Sequence, residues 1–342
     1  MNEIEIISEG YRELFGNSDL KITPLPGAGS DRRYFRIING GKSIIGAYNA
    51  NLDENEAFIG FTNHFSKKGL PVPEIYGYIP GKFIYFLQDL GDINLYTWLH
   101  NRPDLADFGN ETITLYRKIL DKLILFQTRG IDGLNLDLCY PHKCFDRQSM
   151  MWDMNYFKYM VLKLLAVPFN ERSLEHDFNS LADYLLKTGQ DYFLYRDFQT
   201  SNIMVIEEEP WFIDYQGGRK GAPQYDVASL LYDAKIPMNN DDREELLTYY
   251  IDSFCSLSDE TEQKFREYYD GFCMIRLMQA LGAFGFRGLY EQKPTFSESL
   301  VPGVRLLLQI ISSAENNISL PELFQTIRSI PDSQVFQGLL KR

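Results

Sequence analysis

The 342-residue chain is 44% hydrophobic and 24% charged, a balance that suits a folded globular protein and excludes a disordered or fibrous one. That length serves two ordinary domains or one large two-lobed unit, either with a sizeable core. Lys and Arg number 34 against 47 Asp and Glu, for a formal charge of −13 with no basic run, so a nucleic-acid backbone would be repelled.

The first predicted element is a helix over residues 3–15, with Ile7, Tyr11, Leu14 and Phe15 at helical spacing and Gly16 at its end. Short strands are predicted at 21–25, 33–38 and 43–48. Pro26-Gly27-Ala28-Gly29-Ser30-Asp31 separates the first two, and Asn39-Gly40-Gly41 marks a hairpin between the second and third. A helix follows over 53–68, closed by Gly69, Pro71 and Pro73, and then strands at 74–78 and 83–87 joined through Pro80-Gly81. The pattern is β-β-β-α-β-β. Beyond Gly91 helical periodicity dominates, interrupted by a strand-loop-strand patch near 193–214. A small antiparallel sheet followed by a larger helical lobe is an α+β arrangement. The hinge is expected at Gln88-Asp89-Leu90-Gly91, dividing an N-lobe (1–88) from a C-lobe (89–342).

Cys139, Cys144, Cys255 and Cys273 form no short metal-type pair and are too few for a disulfide framework, so they read as reduced thiols. The acidic, amphipathic start is unlike a secretory signal, and no apolar run approaches the roughly 20 residues of a membrane span. The expected location is the cytoplasm, with no membrane partner.

The chemistry concentrates in Tyr195-Arg196-Asp197-Phe198-Gln199-Thr200-Ser201-Asn202, followed twelve residues later by Asp214 in Trp211-Phe212-Ile213-Asp214-Tyr215. Polar groups at the ends of short apolar runs are held rigidly and face a common cleft. Phosphoryl transfer needs a carboxylate to orient the attacking hydroxyl and accept its proton, and hard oxygen ligands for Mg²⁺. Asp197 suits the first role; Asn202 and Asp214 suit the second. Asp, four residues, Asn, then a distal Asp after a strand is the kinase order, which points to a protein-kinase-like two-lobed fold. A bare Arg-Asp dipeptide would more often be a structural ion pair, so the weight rests on the whole constellation.

The segment 195–202 resembles the catalytic loop of the aminoglycoside phosphotransferase and choline kinase superfamily. Three further stretches are similar to one branch, the bacterial anomeric kinases of N-acetylmuramate and N-acetylglucosamine: Ser30-Asp31-Arg32-Arg33-Tyr34-Phe35-Arg36, Leu87-Gln88-Asp89-Leu90-Gly91-Asp92, and Ile213-Asp214-Tyr215-Gln216 running on through Gly221 and Asp226 to Asp233. The resemblance implies ATP and Mg²⁺ as cofactors, Asp197 as base and Asn202 and Asp214 as metal ligands. It also implies a phosphate loop at 26–31 (Gly27, Gly29, Ser30), adenine contact by Gln88, Asp89 and Leu90, and bracing of the catalytic loop by Asp226 next to Arg196.

The sequence departs from the kinase pattern on the third strand. Ser43-Ile44-Ile45-Gly46-Ala47-Tyr48-Asn49 contains no Lys, and Lys42 stands only at its start. Arg32, Arg33 and Arg36 are the substitutes at hand, with Arg33 expected to reach nucleotide phosphate; a solvent-exposed strand face is the alternative. Period two puts Arg32, Tyr34 and Arg36 on one face, opposite Arg33 and Phe35. Glu54 or Glu56 would be the helix carboxylate.

On the acceptor side the candidate lining residues are Asp146 with Arg147, Trp152 with Asp153, Gln216 to Lys220 including Arg219, and Arg287. The Arg219-Lys220 pair reads as a solvated turn or as a contact to an anionic group. Trp152 and Tyr156 read as core or as a stacking surface for a sugar. The expected reaction is transfer of the γ-phosphate to a hydroxyl of an amino sugar. The alternatives are an aminoglycoside- or choline-type kinase of another small alcohol, and a nucleotide-binding regulatory pseudokinase.

Overall fold

The computed structural model describes residues 2–16, 19–27, 32–102, 105 and 108–341. Strands β1 (Lys21–Pro24), β2 (Arg33–Asn39), β3 (Lys42–Tyr48), β4 (Ile75–Ile79) and β5 (Ile84–Gln88) form one antiparallel sheet in the order β1-β2-β3-β5-β4. The β2–β3 hairpin turns on Gly40 and Gly41, both at positive φ, with Asn39 opposite Lys42.

Alternation along the strands gives the sheet two apolar faces. Phe35, Ile37, Ile84 and Phe86 pack under α1 (Glu3–Phe15), against Ile7 and Tyr11. Ile45, Ala47, Tyr85 and Leu87 belong to the other core, with Phe58, Phe61 and Phe65 of α2 (Leu52–Lys67). Asn51 starts α2 by accepting a hydrogen bond from the Glu54 N–H, which satisfies one of the open donors of the first turn. The expected β-β-β-α-β-β order is present, and the Pro80-Gly81 link is a single 3₁₀ turn, Pro80–Lys82.

Past β5 the chain is mainly helical: α3 (Leu95–His100), α4 (Asn110–Thr128), α5 (Arg147–Phe157), α6 (Glu171–Leu185), α7 (Gln224–Leu231), α8 (Asn240–Cys255) and α9 (Glu262–Phe284) precede the C-terminal helices. Two small ladders interrupt this part. β6 (Tyr192–Leu194) pairs with β9 (Arg219–Gly221), and β7 (Ile203–Ile206) pairs with β8 (Glu209–Phe212). The connections at 195–202 and 213–218 therefore start and end on paired strands, which limits their freedom.

One core joins the sheet to the helical part. Phe58 stacks on Tyr215 at 5.3 Å, and Phe65 meets Phe126, Phe193 and Tyr215 edge-on. The Thr62 and Tyr215 hydroxyls share a hydrogen bond of 2.5 Å, and Phe212 N–H donates to the Pro71 carbonyl. The residue after Asp214 is thus fixed to α2. All four cysteines are free, and no helix among the described residues is long and apolar enough to cross a membrane.

Candidate active site

The β6 residues Phe193 and Leu194 are fully buried and deliver Tyr195 into the core, where its hydroxyl donates to the Ile213 carbonyl at 2.6 Å. The backbone then turns sharply: Arg196 has φ of 79°, in the left-handed region that a non-glycine residue occupies only when its surroundings hold it there. What holds it is visible. The N–H groups of Tyr195 and Arg196 donate to the two oxygens of Asp226, at 2.7 and 3.0 Å, from the first turn of α7. The Arg196 guanidinium forms a two-pronged ion pair with Asp153 of α5, at 2.7 and 3.0 Å, and lies over the Phe145 ring. Farther along, Asp233 accepts from both the N–H and the hydroxyl of Thr200. Three buried acids thus clamp the loop around Asp197. Among the described residues the Asp197 carboxylate itself accepts no hydrogen bond, and it is half-buried.

Asn202 joins this loop to the next. Its amide nitrogen donates to the Asp197 carbonyl at 2.9 Å and to Asp214 Oδ2 at 3.2 Å, and its N–H and C=O groups bond Gln199 and Ile213. Asp214 also adopts the left-handed conformation, with φ of 69°. Gln216 donates to Asp214 Oδ1 at 2.7 Å, and Arg32 Nη1 stands 3.8 Å from the same oxygen. The Asp214 side chain is 40% exposed, yet desolvation of its carboxyl raises its pKa. The Asp197 charge raises it further, while Arg32 and Gln216 pull it down.

Arg32 is 2% exposed and lies one residue ahead of β2. It donates to Glu54 at 3.1 Å and to the Tyr34 hydroxyl at 3.2 Å. Glu54 in turn accepts from the Asn49 amide at 3.0 Å. A cation and a helix carboxylate are therefore paired in the cleft, with the cation supplied from the start of β2 in place of a Lys on β3.

The donor set fits a hard divalent cation. Asp214 and the Asn202 side-chain oxygen, which bonds nothing else in the described protein, both offer oxygen donors of the kind such a cation takes. Two carboxylates, Asp197 and Asp214, repel each other across the site. Gln216 Oε1 and Arg32 Nε are buried without partners, so the polar capacity here exceeds what the protein itself satisfies. Such a site can neutralise phosphate charge and take up a proton.

A model of the phosphotransferase enzyme family matches residues 21–268, an interval that contains every group just described. The chain belongs to the phosphotransferase enzyme family. It is 25% identical over 236 residues to an N-acetylmuramate/N-acetylglucosamine kinase of Pseudomonas aeruginosa, covering 67% of this chain and 64% of that relative, or just under two thirds of its length. The fold is similar to that of Plasmodium vivax ethanolamine kinase (TM-score 0.63, 11% identity, covering 92% of this chain and 89% of that one). It is also similar to a thermostable mutant of an aminoglycoside phosphotransferase in complex with ADP and hygromycin B (TM-score 0.54, 13% identity, covering 90% and 99%). The fold is thus kinase-like, and phosphotransfer is the activity of this chain's family.

The remaining expected site residues of this phosphotransferase fall unevenly. Gly27 is exposed, and Gly29 and Ser30 lie outside the described residues. The Arg33 side chain is exposed, on the same strand face as Phe35 and Ile37, and it is Arg32 that stands beside Glu54 and Asp214. Lys42 and Glu56 are exposed as well. Gln88 ends β5 and its side-chain oxygen accepts from the Glu74 N–H; Leu90 is buried. The Asp89 side chain is committed elsewhere, to Arg36 at 2.7 and 3.0 Å, Ser43 at 2.5 Å and the Gly91 N–H. A contact from Asp89 to a base would therefore come from its backbone.

On the acceptor side, Asp146 caps α5 through Ser149 and also meets His142. Trp152 is 45% exposed with its ring edge-on to His142, and Arg287 pairs with Glu291. Arg219 is buried. Asp153 serves Arg196, and sequence reasoning had no handle on that pairing across 43 positions, nor on Asp233 as the brace of Thr200.

Proposed function

We propose that this phosphotransferase moves the γ-phosphoryl group of ATP, with Mg²⁺, to a hydroxyl of an N-acetylhexosamine. The observation that carries the reading is Asn202, bonded at once to the Asp197 carbonyl and the Asp214 carboxylate, with Arg32 on the far side of Asp214. Asp214 and Asn202 would hold Mg²⁺, which when bound supplies charge neutralisation on the phosphate oxygens. Asp197, unengaged and half-buried, orients the acceptor hydroxyl and takes its proton. Arg32 offers the phosphates a fixed positive charge, held in place by Glu54 and Tyr34. The segment around Gly27, Gly29 and Ser30, and the hinge Gln88 to Leu90, are assigned to the nucleotide.

The named substrates of the Pseudomonas relative support an N-acetylhexosamine acceptor, and the ADP complex of the aminoglycoside phosphotransferase supports an adenine nucleotide donor. A purely regulatory nucleotide binder was suggested by the missing β3 Lys, and Arg32 removes that motive.

A coupled assay of ATP turnover with N-acetylmuramate, N-acetylglucosamine, an aminoglycoside and choline tests the proposal. Turnover with an N-acetylhexosamine is expected. Turnover with only the aminoglycoside or choline would overturn the acceptor assignment, and tight ATP binding without turnover of any acceptor would overturn the enzyme's proposed reaction.

A further inference from the structure

Cations around the catalytic loop come with their own acids. Arg196 pairs with Asp153 at 2.7 Å, Lys220 with Asp191 at 2.8 Å, Arg32 with Glu54 at 3.1 Å, and Lys143 with Asp137. Two buried arginines break the pattern: Arg276, which lies over the Tyr225 ring and donates to Ser229 and Gln279, and Arg219, on the strand paired with β6. Arg219 is 5% exposed, and among the described residues it has no ion-pair partner. Its Nε and Nη2 donate to the Gly217 carbonyl at 3.1 and 2.9 Å, and Nη2 reaches the Tyr140 carbonyl at 3.2 Å. Nη1 bonds nothing in the described protein and is not among the polar atoms sealed from solvent. Asp153 acts on Arg219 through space, but both of its oxygens are held by Arg196.

The position of this residue matters. Arg219 opens β9 directly opposite Leu194, the last residue of β6, and so stands beside the strand that leads into Arg196 and Asp197. A buried charge without a counter-charge costs stability, so an unpaired cation on the strand beside the catalytic loop points to a counter-charge that arrives with a ligand. Burial, together with the like charge of Arg196, pulls its pKa down to about 10, so it remains protonated at neutral pH. Arginine suits the place because two nitrogens can hold the loop while the third is presented.

We propose that Arg219 is a specificity-determining residue whose Nη1 receives a carboxylate carried by the acceptor, so that the enzyme favours an acidic N-acetylhexosamine over its neutral counterpart. The inference rests on the N-acetylhexosamine reading above.

The experiment compares kcat/KM for N-acetylmuramate, its methyl ester and N-acetylglucosamine in the wild-type protein, Arg219→Met and Arg219→Lys, with thermal melts to verify folding. The wild type is expected to use the free acid at least about 10-fold better than the ester, a comparison that needs no variant. Arg219→Met is expected to lose that preference, falling about 10-fold or more on the acid and about 3-fold or less on N-acetylglucosamine, and Arg219→Lys to regain part of it. Equal use of acid and ester by the wild type, or an equal fall on both sugars in Arg219→Met, would overturn the inference and leave the N-acetylhexosamine kinase standing. Turnover of neither sugar would overturn both.

Discussion

Arg32 stands between Glu54 at 3.1 Å and Asp214 at 3.8 Å, so one buried guanidinium connects the first turn of α2 to the candidate metal ligand. Its removal leaves two carboxylates facing each other without a cation. Arg32→Met is expected to lower kcat/KM for ATP by about 100-fold or more, and Arg32→Lys by less, since a lysine restores charge but not the fork that reaches Glu54 and Asp214 together. The stability loss should be on the order of 1–2 kcal/mol, below that of a sealed pair because the Glu54 side chain is 34% exposed. Titration of ATP binding and a thermal melt check both. Unchanged ATP affinity in Arg32→Met would remove Arg32 from the phosphate site.

Asp197→Asn keeps the shape of the loop and removes the proton acceptor. Because Asn202 bonds the Asp197 backbone carbonyl and not its carboxylate, the substitution leaves the link to Asp214 intact. A fall in kcat of about 10²–10⁴-fold is expected with nucleotide affinity preserved. Asp214→Asn should instead weaken the dependence on Mg²⁺ concentration, read as a raised half-saturating Mg²⁺. Full activity in Asp197→Asn would assign the proton to another group.

How far the sequence led is clearest on β2. Phe35 and Ile37 are apolar at alternate positions, which already placed Arg32, Tyr34 and Arg36 together on the opposite face. Both faces of this sheet are apolar, one under α1 and one toward α2, and a single strand does not say which of them borders the cleft. Hence the strand pattern alone allowed Arg33 to be the expected phosphate contact, whereas α1 covers the Phe35 side and Arg32 lies toward Glu54 and Asp214. The turn chemistry of Asn39-Gly40-Gly41 and the order Asp197, Asn202, Asp214 were legible because they are local. The Asp226 brace was implied by the resemblance alone, while Asp153–Arg196 and Asp233–Thr200 join residues 43 and 33 positions apart, and nothing in their spacing announces the contact.

Asp226 gives the loop a pH dependence. Burial pushes its carboxyl up to about 7 from about 3.8, while the Tyr195 and Arg196 N–H groups pull it down. A carboxyl with a raised folded pKa binds its proton more tightly in the folded chain. Its contribution to stability therefore falls as pH rises from about 4 to about 7 and is constant above. The loop has the opposite need, since both oxygens must accept from N–H donors. Activity is expected to decline as pH drops below about 7. Asp226→Asn, neutral at every pH and able to accept through one oxygen only, should be slower by about 10–100-fold and lack that limb. kcat measured from pH 5 to 9 in both proteins decides it, and an identical limb in Asp226→Asn would place the titration elsewhere.

The Arg36–Asp89 pair ties β2 to the segment just beyond β5, with both side chains mostly buried at 20% and 9% exposure. Burial alone would raise Asp89, but Arg36, the Ser43 hydroxyl and the Gly91 N–H hold its carboxyl below the usual range. A depressed folded pKa contributes stability that is present above about 3.8 and lost as pH falls through the folded value. Asp89→Asn is thus expected to destabilise the chain by about 2 kcal/mol at neutral pH, with the difference from wild type shrinking below about pH 3.8. Because the pair is shielded, 0.5 M salt should change that difference little. Denaturant melts at several pH and salt values read the effect directly. If the difference persisted undiminished at low pH, the stabilisation would come from packing beyond β5 and not from the charge of Asp89.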